Sequence, residues 1–239
     1  MVLTVVFPAY NEEASVQKVV LDHVRVLNQL GDAIDDWEMV CVDDASSDRT
    51  REILAELAKQ VPKLRVLSHT ENLGIFSSYA DLFSAARGTH IYLTASDGQW
   101  PAENLLKMLP AVVGGADLVV GVRQNRGEVY SLSRRAISFL FNLLPLLLFG
   151  VKTSDAGSIK LGSREIFNCD LISNSPFAEA ERIIRTRLQG KRVEEVPIEF
   201  LPRRAGKERG ASWRNIQRSL IDCICCAAVY RLRPVSRVS

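Results

Sequence analysis

The chain has 239 residues, 47% hydrophobic and 24% charged, with a net charge of +2 at pH 7. This length and composition suit one large folded α/β domain, and the near-neutral balance gives no electrostatic ground for a nucleic-acid partner. The longest apolar run, 136–151, is interrupted by Ser138, Asn142 and Pro145 and is shorter than the ~20 residues of a membrane span.

Leu3-Thr-Val-Val-Phe-Pro8 predicts a first strand near 2–8, followed by Ala9-Tyr10-Asn11-Glu12-Glu13 and a helix over about 13–30. Met39-Val-Cys-Val-Asp43-Asp44 predicts a second strand at 38–43, followed by Ala45-Ser46-Ser47-Asp48-Arg49-Thr50 and a helix at 48–60. Strands at 64–68, 90–95 and 117–122 alternate with helices at 75–87 and 101–113, the last opened by Pro101 at a favoured first position. Such β-α alternation predicts a mostly parallel, Rossmann-like sheet flanked by helices. After 122 the alternation stops. A polar loop at 123–130 precedes a helix over about 131–148 with a kink before Pro145, then a helix at 176–189 and a strand at 192–198. Residues 202–212 read as a mobile Arg-, Lys- and Gly-rich loop. A final amphipathic helix runs from 213 to 231, with Trp213, Ile216, Leu220, Ile224 and Ala227 as its apolar positions. From Arg203 onward nine Lys and Arg face only Glu208 and Asp222, so this end is basic and suits phosphates, an anionic membrane surface or solvent.

The five cysteines form no metal-binding pattern, and Cys223 and Cys226 lie inside the last helix, where packing is the better reading. The odd count and the lack of a signal peptide predict a reducing cytoplasm.

Three strand ends carry the chemistry, because ligands of open parallel sheets bind beyond the carboxyl ends of the strands. Asp97 and Gln99, in Thr94-Ala-Ser-Asp-Gly-Gln-Trp-Pro101, offer a carboxylate and an amide oxygen to a hard divalent cation that also holds phosphate oxygens. Asn11, Ser47 and Asp48 suit helix starts. Two adjacent carboxylates at a buried strand end, Asp43 and Asp44, exceed what a cap needs.

Pro8-Ala-Tyr-Asn-Glu12, Val42-Asp-Asp-Ala-Ser-Ser-Asp-Arg-Thr50 and Ser96-Asp-Gly-Gln-Trp-Pro101 resemble the family 2 glycosyltransferases of GT-A fold, and within them the dolichol-phosphate-mannose synthase-like enzymes. The resemblance runs from about residue 2 to about residue 210. It includes Asn72-Leu-Gly74, Asp155-Ala-Gly157 with Lys160, Glu181-Arg-Ile-Ile-Arg185 and Glu195-Val-Pro-Ile198 followed by Arg203 and Gly206. It implies a glycosyltransferase domain over 1–211, with a nucleotide-binding half at 1–122 and an acceptor half at 123–211, and then the basic helix and tail at 212–239.

The resemblance further implies an inverting transfer of a sugar from a UDP- or GDP-sugar to a polyprenyl phosphate, with Mg2+ or Mn2+ as cofactor. Its partners would be the nucleotide-sugar, the lipid phosphate and an anionic membrane surface, reached from the cytoplasmic side without a span. By this resemblance Pro8, Tyr10, Glu12, Asp43 and Asp44 form the nucleotide pocket, although Tyr10 also fits a core aromatic. Asp97 and Gln99 hold the metal. Arg123, Arg134, Ser138, Arg203 and Asp155 handle the diphosphate or the acceptor, whereas Arg126 and Arg135 read as solvated charge. Glu181, or Glu179 beside it, would be the general base for a hydroxyl acceptor; a phosphate acceptor needs none. The family pattern before Asp97 is Asp-x-Asp, and here its first position is Ala95. Two other readings remain open at this point: transfer to a soluble or polymer-linked sugar hydroxyl, and a nucleotide-sugar-binding protein with little turnover.

Overall fold

A computed structural model describes the backbone of residues 1–124, 132–202 and 213–232, and the side chains of all of these except 132–140 and 231. The first half alternates as the sequence predicts. Strands β1 (Val2–Ala9), β2 (Asp36–Asp43), β3 (Leu64–Ser68), β4 (His90–Leu93) and β5 (Leu118–Arg123) are joined through helices α1 (Val16–Gln29), α2 (Thr50–Gln60), α3 (Ile75–Ala85) and α4 (Asn104–Val113). Then come α5 (Leu132–Phe149), β6 (Lys160–Ser163), α6 (Arg164–Phe167), α7 (Ala178–Leu188), β7 (Val193–Ile198) and α8 (Trp213–Leu232).

The seven strands form one sheet in the order β3-β2-β1-β4-β6-β5-β7. All neighbours are parallel except β6, which runs antiparallel between β4 and β5. Sequence pattern predicts neither β6 nor the short α6. Lys-Leu-Gly-Ser has no alternation and no β-branched residue, so only the two flanking strands make it a strand. Gly162 is required there, since a Cβ would meet the Asp117 carbonyl oxygen at 2.6 Å. The register sets Lys160 opposite Leu93, at the end of β4 that leads to Asp97.

Alternation along the strands divides the core between the two faces of the sheet. Val5, Phe7 and Tyr92 pack with α1, α2 and α4 on one face. Val6, Val40, Val42 and Leu93 pack with α3, α7 and α8 on the other. Burial on both faces explains why the central strands read as continuous apolar runs.

Helix α5 continues through Pro145. Among the described residues no helix is long and apolar enough to cross a membrane. Helix α8 corrects one expectation. Its docked face is Ser219, Cys223, Cys226 and Ala227, whereas Trp213, Leu220 and Ile224 point outward. Polar hooks fix this rotation: Tyr230 donates to Glu181, the Ser173 hydroxyl meets Cys226 Sγ at 3.3 Å, and the Asn174 N–H donates to Asp222.

Candidate active site

The loops after β1 and β2 are interlocked. Asn11 adopts a left-handed conformation (φ 56°) and so does Ala45 (φ 58°), an uncommon geometry for a residue with a Cβ. The Asn11 N–H donates to Ser46 Oγ at 3.0 Å, and Asn11 Oδ1 accepts the Ser47 N–H at 2.8 Å. The Glu12 N–H donates to Thr50 Oγ1 at 2.8 Å. Asn11 and Ser47 therefore join two strand ends instead of capping helices. The third strand end is tied in by Ser96, whose hydroxyl donates to the Pro8 carbonyl at 2.7 Å and whose carbonyl accepts the Ser15 hydroxyl at 2.8 Å. Pro8, Tyr10 and Glu12 are all half-buried, so Tyr10 is not a core aromatic.

Asp43 and Asp44 are buried and differently held. Asp43 accepts the Ser46 N–H and, at 2.8 Å, Arg51 Nε. Asp44 accepts the N–H groups of Leu73 and Gly74 at 2.8 and 2.9 Å and meets His69 Nδ1 at 2.7 Å. The far ring nitrogen of His69 meets Asp81 at 2.9 Å. Arg51 also donates to the His69 carbonyl, which links the two carboxylates through one cation-rich patch. Sequence reasoning misses Arg51 and His69 here, because only the crossover connections bring them to the end of β2.

Asp97 is half-buried on a turn that Gly98 closes at φ +72°. Its Oδ1 accepts the Gln99 N–H at 3.0 Å. The Gln99 amide nitrogen donates to the Leu201 carbonyl at 3.1 Å, and the Leu201 N–H donates back to the Gln99 carbonyl at 2.8 Å. That use of the nitrogen leaves Oε1 as the amide atom that could serve a cation. Among the described residues no three His, Cys, Asp or Glu side chains gather as a metal site. One carboxylate and one amide oxygen nonetheless fit Mg2+ or Mn2+, since such ions are commonly held by one or two protein oxygens together with substrate phosphates and water. Ala95 is half-buried and packs against the apolar core, so an Asp at this position would place a carboxylate against that core.

Beyond residue 122 the described residues include several buried ion pairs. Arg123 meets Asp155 through Nε at 2.7 Å and Nη2 at 2.5 Å, and its N–H also donates to Asp155. The guanidinium lies 5.3 Å from the Trp100 ring and 5.1 Å from the Phe200 ring. Lys160 is fully buried. Its Nζ donates to the carbonyls of Ala156 and Ser158 at 2.8 and 3.0 Å and pairs with Glu179 at 2.8 Å. Arg182 approaches Glu179 at 3.6 Å and donates to the carbonyls of Ile166 and Phe167. Burial pulls the Lys160 ammonium below the usual lysine range against the opposing pull of Glu179. Burial would raise the Glu179 carboxyl, but the charges of Lys160 and Arg182 outweigh it and hold the group below its ordinary value. Tyr79 is raised by burial and then by the charges of Glu179 and Asp97, so both carboxylates act on the same ring.

Glu181 is fully buried. Its carboxylate accepts the N–H groups of Ile172 and Ser173, each at 2.8 Å, and the Tyr230 hydroxyl at 2.5 Å. The side chains of Arg134 and Ser138, and Arg203 altogether, lie outside the described residues.

The sequence model of glycosyl transferase family 2 matches residues 4–171. The chain is 31% identical over 219 residues to an undecaprenyl-phosphate mannosyltransferase of Micrococcus luteus, covering 87% of this chain and 86% of that protein. It is 28% identical to an undecaprenyl-phosphate 4-deoxy-4-formamido-L-arabinose transferase of Edwardsiella ictaluri, over 98% of this chain and 70% of that protein. Among solved structures, glucosyl-3-phosphoglycerate synthase from Mycobacterium tuberculosis, crystallised with Mn2+, UDP and glucosyl-3-phosphoglycerate, superposes with a TM-score of 0.67 at 18% identity. The match covers 95% of this chain and 80% of that one.

Proposed function

The chain belongs to glycosyl transferase family 2 and has a GT-A fold, and from that premise we propose that it moves a sugar, with inversion, from a UDP- or GDP-sugar to a polyprenyl phosphate at the cytoplasmic membrane face. One observation carries the choice of a phosphate acceptor. A sugar hydroxyl needs a base to take its proton, whereas a phosphate is already ionised near neutral pH. Among the described residues, the candidate carboxylates of the acceptor half are all engaged. Glu179 is paired with Lys160 and Arg182, Glu181 binds two N–H groups and Tyr230, and Asp155 holds Arg123. This arrangement favours an acceptor that needs no base. The M. luteus and E. ictaluri relatives, named for transfer to undecaprenyl phosphate, support the same choice.

In this reading residues 1–122 bind the donor and 123–211 the acceptor. Asp43 and Asp44 accept the ring N–H of the base, and Pro8, Tyr10 and Glu12 complete the pocket. Asp97 and Gln99 would hold Mg2+ or Mn2+, which supplies positive charge to the departing diphosphate. Arg134, Ser138 and Arg203 receive the phosphates. Arg123 positions the acceptor loop through Asp155 instead of meeting phosphate itself. Glu181 likewise changes role, from a base to an anchor of the acceptor half. The outward face of α8 carries Trp213, 72% exposed, with Leu220, Ile221 and Ile224, and Arg214 stands beside Trp213. A Trp and aliphatic face flanked by arginines suits the surface of an anionic bilayer.

The test is transfer of labelled sugar from UDP- and GDP-sugars to undecaprenyl phosphate with Mn2+, with label counted in the organic phase. The expected result is lipid-linked label, abolished in a folded Asp97→Ala variant. Label appearing only in a water-soluble glycan would overturn the lipid acceptor and favour a hydroxyl.

A further inference from the structure

His69 stands at the back of the base pocket, only 11% exposed, with a carboxylate on each ring nitrogen: Asp44 at 2.7 Å and Asp81 at 2.9 Å. An ionised carboxylate only accepts hydrogen bonds, so both contacts are satisfied together only when both ring nitrogens carry protons. The geometry therefore selects the imidazolium. We infer that His69 is a positioning residue of the donor pocket, holding Asp44 and the 69–74 loop in place as a cation, so that nucleotide-sugar binding takes up a proton. The inference rests on the assignment of Asp43 and Asp44 to the base pocket.

The charges around the ring come from every element packed on it. Asp43 and Asp44 lie at the end of β2, Arg51 on α2 and Asp81 on α3, and Glu71 is exposed on the loop itself. With His69 protonated, Asp43, Asp44 and Asp81 face two cations, Arg51 and the imidazolium. Loss of the proton leaves the three carboxylates with Arg51 alone, in a pocket that an anionic nucleotide-sugar must enter. It also leaves one ring nitrogen without a proton, so the ring can no longer donate to both Asp44, which also holds the Leu73 and Gly74 N–H groups, and Asp81. Burial alone would lower the imidazole pKa, but the hydrogen bonds to Asp44 and Asp81 and their charges outweigh it, so the group titrates above its ordinary value. The sign follows. A raised histidine contributes its full effect below about pH 6.5, its unfolded value, and loses it as pH rises through the folded value.

The experiment measures binding of UDP-glucose and GDP-mannose by calorimetry from about pH 6 to 9, a range that brackets histidine titration. The pyrophosphate diester of these probes keeps its charge throughout. Donor affinity of the parent should fall about three- to tenfold as pH rises, one factor of ten for each unit by which the donor raises the His69 pKa. His69→Gln keeps a single donor but cannot titrate, so it should bind more weakly at low pH and show no pH dependence. Asp81→Asn leaves the base pocket untouched and should move the midpoint to lower pH, both in binding and in the His69 ring signal by NMR. An unchanged pH profile in His69→Gln, or an unmoved midpoint in Asp81→Asn, overturns the inference. Full donor affinity in Asp44→Asn overturns the pocket assignment instead. Affinity lost in Asp44→Asn while the parent binds independently of pH overturns the role of His69 alone.

Discussion

At the end of β2 the carboxylates are held by loop N–H groups, by Arg51 on Asp43, 48% exposed, and by His69 on Asp44, 11% exposed. Beyond β5 the buried carboxylates among the described residues are held in ion pairs or by hydrogen bonds. Lys160, Glu179, Arg123 and Asp155 are buried in pairs, and Glu181 is closed over by Tyr230. The end of β2 thus holds its buried carboxylates through N–H groups and cations that neighbouring loops and helices contribute. The acceptor side uses charge to hold loops in shape. Acidic residues on the two sides look alike in the sequence and do different work. Those on the donor side should answer to ligand, and those on the acceptor side to unfolding.

The largest effect that sharpens this contrast is expected from Lys160→Met. It keeps the volume of the side chain but leaves Glu179 buried with only the 3.6 Å contact to Arg182. Removing one partner of a buried pair costs about 3–5 kcal/mol of stability, read by urea denaturation at pH 7. The pH dependence has a definite sign. Glu179 is depressed, so its contribution is present above the unfolded carboxyl value of about 4.3 and is lost as pH falls through the lower folded value. The parent should therefore lose this part of its stability in acid, and Lys160→Met should show a shallower loss. A variant as stable as the parent would break the contrast, since the acceptor side would then not depend on its buried charges.

The parts of the sequence that announce themselves are those with local chemistry. The strands at 2–8, 38–43 and 64–68 are readable because apolar runs end in polar turns, and Asp43 with Asp44 stands out because one cap needs one carboxylate. The antiparallel β6 does not, because Lys160 to Ser163 becomes a strand only through its neighbours β4 and β5. Arg51 and His69 escape notice because their partners are supplied by the crossovers: Asp43 lies eight residues before Arg51, and Asp44 lies 25 before His69. Glu181 reads as a base by resemblance, and the Tyr230 hydroxyl that closes over it comes from 49 residues away. The apolar content of α8 is legible, but its rotation is not, because small residues and polar hooks decide which stripe faces inward. Ala95 departs from the family pattern where the strand end turns against the core, and no local signal in the sequence reports that packing.

On the donor side a smaller effect of the opposite kind is expected from Asp43→Asn. The amide can still accept the Ser46 N–H but loses the charge shared with Arg51 and, in the proposed pocket, the charge offered to the ring N–H of the base. Loss of a charge-assisted hydrogen bond should weaken nucleotide-sugar affinity by about 1.5–3 kcal/mol, with or without metal. Stability should change by less, about 1 kcal/mol or under, because Arg51 lies half in solvent and such pairs contribute little. Calorimetry and denaturation on the same variant check both halves of the expectation. A large loss of stability with full affinity would make Asp43 a structural group like those of the acceptor half.

The smallest effect is expected at the link between α8 and Glu181. Tyr230 is the link from α8 to Glu181, and burial, together with the carboxylate that its hydroxyl meets, raises its pKa. Tyr230→Phe keeps the ring and its edge contact with Phe149, 6.1 Å between centroids. It removes only the hydroxyl. Glu181 Oε1 retains the Ile172 N–H and Oε2 the Ser173 N–H, so the carboxylate is not left bare. The loss should be close to that of one ordinary hydrogen bond, about 1 kcal/mol of stability. Nucleotide-sugar affinity should not move, because none of these groups reaches the ends of β1, β2 or β4. Transfer to the lipid should fall only as far as α8 loosens. If donor affinity drops in step with stability, the anchor under α8 reaches across the sheet to the donor pocket. The two sides would then have to be treated as one cooperative unit, with Glu181 serving both.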